Sequence, residues 1–455
     1  MKKSMLLTIS LVSCLLLWSQ MNVYFRKTDG SILKVYSAYI DSIRSYKANA
    51  SDAYYSTLSI FKKDNSVVNL TLSEIDSMFF AQNDTVKITY TGSTVNIDNP
   101  LAYSGVSVST SGQDVTVTSS PGEKEVIYLV SGTTTNGMLK IYSDYKLQLL
   151  LNNANITNGD GPAINIQSSK KISVNLLAGT QNTLTDGSSY ATSTEDQKAT
   201  FFSEGQLIFD GTGSLTVKSN SQHGICSDDF IQITNGVITV SAAAKDGIHA
   251  NDYFKMYGGT LNVTATSDDI DCEAGHVLIT GGSITTVNTT ADTKGISCDS
   301  TMTISGGTIN MTVGGNQAKG LKSKQAMTLS GGTITINTSG AAVLSASGSG
   351  YDPSYCTAIK GGFDITISGA NITVRGTGTG AKGISADGNL SMTSGTVGVT
   401  TTGAGATYTN TSGIADSYAS SCFEADGNIS ILGGSLTATT SGTASKGISA
   451  DGTLT

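Results

Sequence analysis

Residues 295–313 read GISCDSTMTISGGTINMTV, and residues 320–338 read GLKSKQAMTLSGGTITINT, a near copy 25 residues later. Each copy opens on a hexapeptide and continues with alternating apolar residues on both sides of a Gly-Gly pair. Alternation with a period of two predicts strands, and the glycine pair predicts a bend between them. One repeat therefore offers about three short strands and three turns, the size of one solenoid coil.

The hexapeptide recurs along most of the chain. Further copies begin at residues 163, 200, 224, 247, 269, 358, 383, 422 and 447, with extra residues inserted at 340–356 and 402–421. A propeller blade would need about 40 to 45 residues, and a hairpin at each Gly-Gly would leave the hexapeptide strand without a regular partner. Stacked coils give every strand a parallel partner at about 4.8 Å. We therefore predict an all-β, single-stranded parallel β-helix with about 23–25 residues per coil.

The composition agrees with strands and argues against nucleic acid. The 455 residues include 52 Gly and only 4 Pro, and the net charge is -8, whereas nucleic-acid binding needs concentrated Lys and Arg. Cys272 and Cys298 share the fourth position of adjacent hexapeptides, within disulfide reach. Because cysteine is also a common small core residue, buried free thiols are the favoured interpretation.

The N-terminus predicts export. Residues 1–19 read MKKSMLLTISLVSCLLLWS, in which two lysines precede an apolar run too short to span a membrane. This pattern is typical of a signal peptide, so we expect a secreted or cell-surface protein with no transmembrane segment in the mature chain. LVSC at 11–14 resembles a lipobox, and a lipid anchor at Cys14 is the alternative.

Two regions follow the predicted signal. Residues 20–98 contain a two-copy motif, in which IDSI at 40–43 matches IDSM at 75–78, and we predict a small β-rich module there. Residues 99–455 form the predicted β-helix. The sequence ends in DGTLT, where earlier repeats continue through the Gly-Gly strand, so we expect further coils beyond Thr455.

Strand alternation assigns a direction to each hexapeptide position. The second and fourth positions are apolar or small in almost every copy, and we predict that they point into the core. The first, third and fifth positions then point outward. In the copy that begins at residue 269 the outward set is Asp269, Asp271 and Glu273.

Acidic residues concentrate around this copy and predict a calcium site. Asp246 and Asp268 precede adjacent hexapeptides, and stacked like charges repel unless a cation neutralises them. Oxygen-only donors suit calcium. The predicted ligands are Asp246, Asp268, Asp269, Asp271 and Glu273. A solvated acidic patch is the alternative, and we interpret His249 as a surface or sugar-contacting residue rather than a zinc ligand or base.

Lysines follow on the same outward columns in the later copies. A flat face with spaced cations suits an acidic polysaccharide, but lysines also block strand-to-strand aggregation and keep such a face soluble. The residues predicted to contact the polymer are His249, Asp252, Lys294, Lys319, Lys322 and Lys360.

The ordered motifs resemble a known family. TFFSEGQLIFDGTGSLTV at 200–217, HGICSDDFIQI, KDGIHANDYFKMYGGTLNVTA, DDIDCEAG and KGISADG are together similar to the secreted, carbohydrate-binding β-helix family that shares its shape with pectate lyases. The resemblance covers residues from about Tyr128 onward. It implies a right-handed parallel β-helix that binds calcium and recognises plant cell-wall polysaccharide of the pectin type. Of the family's calcium ligands, it carries over to Asp246, Asp268, Asp269 and Asp271.

Three functions remain open. We favour a monomeric, non-catalytic protein that binds acidic or plant cell-wall polysaccharide with the help of calcium. The first alternative is a calcium-dependent polysaccharide lyase of the pectate type, with Lys294 or Lys319 as the base. The sequence shows no decisive arrangement of lyase residues, and a fold alone does not confer an activity. The second alternative is a structural adhesin without sugar affinity.

Overall fold

The computed structural model describes residues 21–36, 39–82, 85–102, 104–120 and 125–455. The predicted signal peptide at 1–19 and Cys14 lie outside these ranges. The described chain is all-β, with almost no helix apart from the 3-10 turn Leu72–Glu74. None of its helices is long and apolar enough to cross a membrane.

The described residues form 44 strands, numbered here in chain order. The first half contains β1 (Met21–Lys27), β2 (Ile32–Tyr36), β3 (Ile40–Tyr46), β4 (Thr57–Lys62), β5 (Val67–Thr71), β6 (Ile75–Gln82), β7 (Thr85–Thr91), β8 (Val95–Asp98), β9 (Val106–Ser111), β10 (Asp114–Ser119), β11 (Val126–Thr134), β12 (Leu139–Ser143), β13 (Leu147–Thr157), β14 (Ile164–Gln167), β15 (Ile172–Leu176), β16 (Gln181–Thr185), β17 (Ala199–Ser203), β18 (Leu207–Gly211), β19 (Ser214–Lys218), β20 (His223–Ser227), β21 (Phe230–Ile233) and β22 (Val237–Ala242).

The second half continues in the same manner. It contains β23 (Ile248–Ala250), β24 (Tyr253–Met256), β25 (Thr260–Val263), β26 (Ile270–Cys272), β27 (His276–Ile279), β28 (Ser283–Asn288), β29 (Lys294–Cys298), β30 (Met302–Val313), β31 (Lys319–Ser323), β32 (Met327–Thr338), β33 (Val343–Ser347), β34 (Gly350–Ser354), β35 (Thr357–Gly361), β36 (Ile365–Gly376), β37 (Lys382–Ala386), β38 (Leu390–Thr401), β39 (Ala406–Thr409), β40 (Ala415–Tyr418), β41 (Ser421–Ala425), β42 (Ile429–Ile431), β43 (Ser435–Thr440) and β44 (Lys446–Ala450).

Two large sheets of mainly parallel strands dominate the structure. The hexapeptides lie in a 14-stranded sheet, called here the hexapeptide sheet, whose strands follow chain order from β9 to β44. Between successive hexapeptide strands the chain visits a 20-stranded sheet, and then it returns one position further along. Each such circuit is called a unit below. Parallel registers run from unit to unit, as where β26 pairs with β29 and β29 with β31.

The hydrophobic core follows the predicted alternation within the strands. Ile270 and Cys272, the second and fourth positions of their hexapeptide, are fully buried, and Asp271 between them is half-buried. The same pattern recurs in the neighbouring strands, so the inward direction of the second and fourth positions is confirmed. The cysteines within the described ranges are free and buried, which confirms the predicted thiols at Cys272 and Cys298.

Glycines of successive units lie directly beside one another where the chain approaches the hexapeptide sheet. A Cβ on Gly378 would lie 1.8 Å from the carbonyl oxygen of Gly340, and a Cβ on Gly403 would lie 1.7 Å from that of Gly378. No side chain fits at such a distance, so glycine at these positions allows the backbones of neighbouring units to approach each other closely. The Gly-Gly bends have a different cause, because Gly307 and Gly332 adopt positive φ angles of 83° and 82°.

The N-terminal region consists of two small antiparallel sheets. β1 pairs with β2 and β6, whereas β3 pairs with β4, which also pairs with β5. The third strand of each sequence copy therefore pairs with the first strand of the other copy. β7 and β8 already belong to the 20-stranded sheet, because β7 pairs with β11. The large sheets thus begin before the predicted boundary at residues 98 and 99.

The two insertions form antiparallel hairpins, β33 with β34 and β39 with β40. The hairpins touch each other: Tyr351 and Asn410 form an isolated bridge, and the Ser349 N–H donates to the Thr411 carbonyl at 2.8 Å. The pair of hairpins is called here the hairpin lobe.

Candidate functional site

The hexapeptide sheet aligns the third positions of successive copies. Strand register places His249 beside Asp271, Asp271 beside Ser297, Ser297 beside Lys322, and Lys322 beside Lys360. One outward row therefore changes from a histidine and an acid to two adjacent lysines. The predicted acidic and basic groups do lie on one face.

Two histidines and two aspartates meet at the acidic end of this face. His223 Nδ1 lies 3.1 Å and His249 Nδ1 lies 3.2 Å from Oδ2 of Asp246, and His249 Nδ1 is also 3.3 Å from Oδ2 of Asp271. The two imidazole rings stack with centroids 4.5 Å apart. His223, Asp246, His249 and Asp271 are called here the His–Asp cluster.

Backbone and hydroxyl donors hold the carboxylates around the cluster. The Asp268 N–H donates to Oδ1 of Asp246 at 3.0 Å, and the Lys294 N–H donates to Oδ1 of Asp268 at 2.9 Å. The Ser297 hydroxyl lies 2.6 Å from Oδ1 of Asp271 and 3.2 Å from Oδ2 of Asp268. Asp246, Asp268 and Asp271 are therefore brought together as predicted from the sequence.

Burial and pairing shift the ionisation of these groups in opposite directions. Burial opposes the charged form of Asp246, but hydrogen bonds from His223 and His249 outweigh it and hold the pKa of Asp246 well below its usual range. Burial likewise disfavours a charged His249, yet Asp246 and Asp271 raise its pKa to about 10. Burial raises the pKa of Asp268 to about 6, although Lys294 lowers it.

Asp269 does not face outward, and this part of the prediction is wrong. The residue is fully buried, and neither of its carboxyl oxygens accepts a hydrogen bond of normal geometry from any residue in the described ranges. It precedes β26, so it lies where the chain turns into the strand, and strand alternation does not apply there. Burial raises the pKa of Asp269 to about 8. The side chains of Thr286 and Asn288 and the backbone of Ala265 lie nearby and lower the pKa, but burial has the larger effect.

The other predicted acids lie at the edge of the cluster or away from it. The Glu273 side chain is 65% exposed, and its Oε2 is 3.8 Å from Nε2 of His249. Asp252 is exposed. It is the last residue of its hexapeptide, and its N–H donates to the Asp229 carbonyl. Asp269 and Glu273 therefore do not converge with Asp246 on one point, and the five predicted ligands do not form a single calcium shell.

A different set of donors does converge. Within the part of the chain that the structure describes, His223, Asp246 and His249 form a group of potential ligands whose donor atoms lie within 4.8 Å of one another. His223 is not among the residues predicted from the sequence. The available signal was its position, because His223, Asp246 and Asp268 each immediately precede a hexapeptide in consecutive copies.

The predicted lysines differ in how they are paired. Lys294 Nζ donates to the Asp292 carbonyl at 2.7 Å, and Lys360 pairs with Asp387. Lys319 Nζ donates to the Gln317 carbonyl at 2.6 Å and lies 3.3 Å from the Ser354 hydroxyl. Lys322 makes no ion pair or hydrogen bond with any residue in the described ranges. It is therefore the most available cation on this face.

Tyrosines of the hairpin lobe border the lysines, and sequence reasoning missed them. The rings of Tyr355 and Tyr418 meet edge to face at 5.7 Å, and Tyr408 lies 6.0 Å from Tyr418. The buried Lys382 places its Nζ 4.4 Å from the centre of the Tyr355 ring and pairs with Glu424. The insertions had shown no regular pattern that would have placed these rings beside the hexapeptide sheet.

Comparisons with known proteins identify the family. The family model described as carbohydrate-binding domain-containing protein matches residues 111–363, which is 253 of the 455 residues. The chain belongs to this family.

One relative and one solved structure show more limited similarity. A carbohydrate-binding domain-containing protein of Acetivibrio thermocellus is 34% identical over 155 residues, which cover 33% of this chain and 51% of that protein. The chain thus matches about half the length of this relative. The polysaccharide lyase-like protein from C. thermocellum, solved as a gadolinium derivative, is 28% identical with a TM-score of 0.45, covering 52% of this chain and 94% of the other.

Proposed function

We propose that this protein is a secreted or surface-located, non-catalytic protein that binds acidic polysaccharide along the outer face of its hexapeptide sheet. The further proposal is that its two large sheets wind into a right-handed parallel β-helix, as the regular return of the chain to the same sheet suggests. The family assignment supports a carbohydrate ligand. The observation that carries the proposal is the pair Lys322 and Lys360, which are register partners in neighbouring strands of this sheet.

Charge favours an anionic polymer at this position. Lys322 and Lys360 are register partners in neighbouring strands, and like charges placed directly opposite are destabilising. Asp387 neutralises Lys360, whereas Lys322 has no partner within the described chain. A carboxylate from a bound uronate would remove this repulsion and satisfy the Lys322 ammonium group.

The hairpin lobe borders the outer face of the hexapeptide sheet on one side. Ser354 approaches Lys319, and Tyr355 covers Lys382, so the lobe stands directly beside the lysines. Partly exposed aromatic rings offer an apolar surface together with a polar hydroxyl, a combination that suits the CH groups and hydroxyls of a sugar. The polymer would lie on the sheet, with the lobe along one side.

Calcium enters this proposal through a smaller set of residues than the sequence predicted. Asp268, Asp271 and Glu273 are partly exposed near the acidic end of the face. Calcium takes six to eight oxygens, so these carboxylates would leave most of its coordination shell to water and to the carboxylates of the glycan. We propose such shared coordination in place of a preformed protein site.

The test combines binding with product detection. Full-length protein is mixed with polygalacturonate and with a neutral glucan, with calcium or with a calcium chelator, while bound protein and the absorbance of unsaturated sugar are followed. Binding to polygalacturonate without product, reduced in Lys322→Met and unchanged in Lys218→Met on the other sheet, is the expected result. Absence of binding to every glycan would favour the adhesin and overturn the proposal.

A lyase is the second candidate, and Lys319 is the residue that favours it. Burial lowers the pKa of Lys319, although the charge of Asp292 opposes this shift. A lysine whose pKa is lowered toward neutrality is better able to take a proton from a sugar carbon. Unsaturated product that disappears in Lys319→Met but persists in Lys294→Met would establish this activity.

A further inference from the structure

We infer that the His–Asp cluster is a binding site for a zinc-like divalent metal, with His223 Nδ1, Asp246 Oδ2 and His249 Nδ1 as its three protein ligands. The site concerns the protein alone and does not depend on the glycan. It differs from the calcium proposal in its donors, because two of the three are imidazole nitrogens. Imidazole suits zinc, copper and nickel, whereas calcium selects oxygen.

The distances match the shape of a zinc shell. A tetrahedral ion with bonds of about 2.0–2.1 Å places neighbouring ligand atoms roughly 3.3–3.4 Å apart. The observed separations are 3.1 Å from His223 to Asp246 and 3.2 Å from Asp246 to His249, and the three donor atoms all lie within 4.8 Å of one another. Two of the three separations thus match edges of such a tetrahedron. Asp271, whose Oδ2 is 3.3 Å from Nδ1 of His249, lies beside the three ligands.

The ring nitrogens have more partners than protons. Nδ1 of His223 lies 3.2 Å from the Asp246 N and 3.1 Å from Oδ2 of Asp246, so it can accept from the first or donate to the second but cannot do both. Nδ1 of His249 carries one proton at most, which Oδ2 of Asp246 and Oδ2 of Asp271 would share. A divalent cation in place of these protons would contact the lone pairs of His223, Asp246 and His249 together.

The surroundings already orient the ligands. The second oxygen of Asp246 accepts the Asp268 N–H, and Asp271 beside His249 is held by the Ser297 hydroxyl at 2.6 Å. Such outer hydrogen bonds keep metal-binding groups in place and are typical of built metal sites. The side chains of His223, Asp246 and His249 are mostly buried, with exposures of 11% to 16%.

The ligands come from two successive units, which indicates what the metal would do. His223 begins β20, whereas Asp246 precedes β23 and His249 lies in β23. Three protein ligands leave the fourth position of a tetrahedral zinc ion to water or to another small ligand. Zinc would therefore cross-link the two units and offset the negative charge of Asp246.

Zinc titration of the full-length, chelator-treated protein tests the inference. We expect one zinc per chain by calorimetry, a higher melting temperature, and a strong visible absorption when cobalt replaces zinc. His223→Ala and His249→Ala should each weaken zinc binding by more than about 100-fold. His276→Ala is the matched control, because His276 stacks on Tyr253 with centroids 5.2 Å apart and belongs to no predicted metal site.

Several outcomes separate the metal from its alternatives. If the alanine variants fail to fold by circular dichroism, His223→Asn and His249→Asn replace them. Equal zinc affinity in the wild-type protein and in the His223 and His249 variants would overturn the inference, as would no measurable zinc binding by folded wild-type protein. Displacement of zinc by equimolar calcium would also overturn it and would instead favour an oxygen shell that includes Asp268.

Discussion

Asp269 and Thr286 lie side by side in the core, where the neighbouring units place a glycine and an apolar side chain. Both are buried, and in the described part of the chain neither the carboxyl group nor the hydroxyl has a hydrogen-bond partner of normal geometry. In the preceding unit, a Cβ on Gly247 would lie only 2.1 Å from Cγ1 of Val263, and strand register places Val263 beside Thr286. A polar pair therefore replaces a close apolar contact at this one level.

The first prediction concerns a double variant that has the glycine and the apolar side chain found in the neighbouring units. Asp269→Gly combined with Thr286→Val should raise the free energy of unfolding by about 1–3 kcal/mol at neutral pH, because an unsatisfied buried polar group has this cost. Urea unfolding at pH 7 measures the change, with Thr286→Val alone as the control. A lower stability in the double variant would show that a buried partner satisfies Asp269.

A second prediction concerns the stacked glycines. Gly378→Ala should destabilise the protein by at least about 1–3 kcal/mol, since its Cβ would collide with the carbonyl of Gly340 1.8 Å away. Gly398→Ala is the matched control, because nothing lies within 4 Å of its Cβ and its φ is not positive. Thermal unfolding of both variants is the measurement. Equal melting temperatures would mean that the units do not pack this closely.

Glycan binding should respond to one lysine more than to its neighbour. We expect Lys322→Met to weaken polygalacturonate binding about ten-fold, which corresponds to one charge-assisted hydrogen bond of roughly 1.4 kcal/mol. Lys360→Met should have a smaller effect, because Lys360 already pairs with Asp387. Affinity electrophoresis at two salt concentrations measures both variants. A larger loss for Lys360 would contradict the proposed orientation of the polymer.

The fourth prediction uses the loop at residues 186–198. Lys140 Nζ is 2.9 Å from Oε2 of Glu195, and Tyr142 donates to the same carboxylate. These hydrogen bonds lower the pKa of Glu195 below its usual value of 4.5. Because the folded pKa is depressed, the stabilisation is complete above about pH 4.5 and is lost as the pH falls through the lower folded value.

Hydrogen exchange of this loop as a function of pH provides the measurement. The loop should lose protection on acidification below about pH 4.5 in the wild-type protein, and Glu195→Gln should show little of this dependence. Asp196→Asn is the control, because Asp196 is 56% exposed and pairs only with Lys198 among the described residues. A pH dependence that persists unchanged in Glu195→Gln would exclude Glu195 as its source.

Strand alternation made much of the fold and part of the site predictable. The sequence period locates the hexapeptide strands, the inward second and fourth positions, and the outward row that contains Asp271, Lys322 and Lys360. Alternation is a local property of an extended backbone, so it can be read without knowing what lies next to the strand.

Contacts between units were decided only by the tertiary structure. Asp269 is buried because it lies at a corner, where alternation ends, and His223 joins Asp246 and His249 because consecutive units stack in register. The hairpins likewise pair with each other across an intervening unit and bring Tyr355 to Lys382. The sequence by itself determined which residues repeat. The distances between residues of different units depend on how the units stack and on where each insertion packs. A local sequence period determines neither of these.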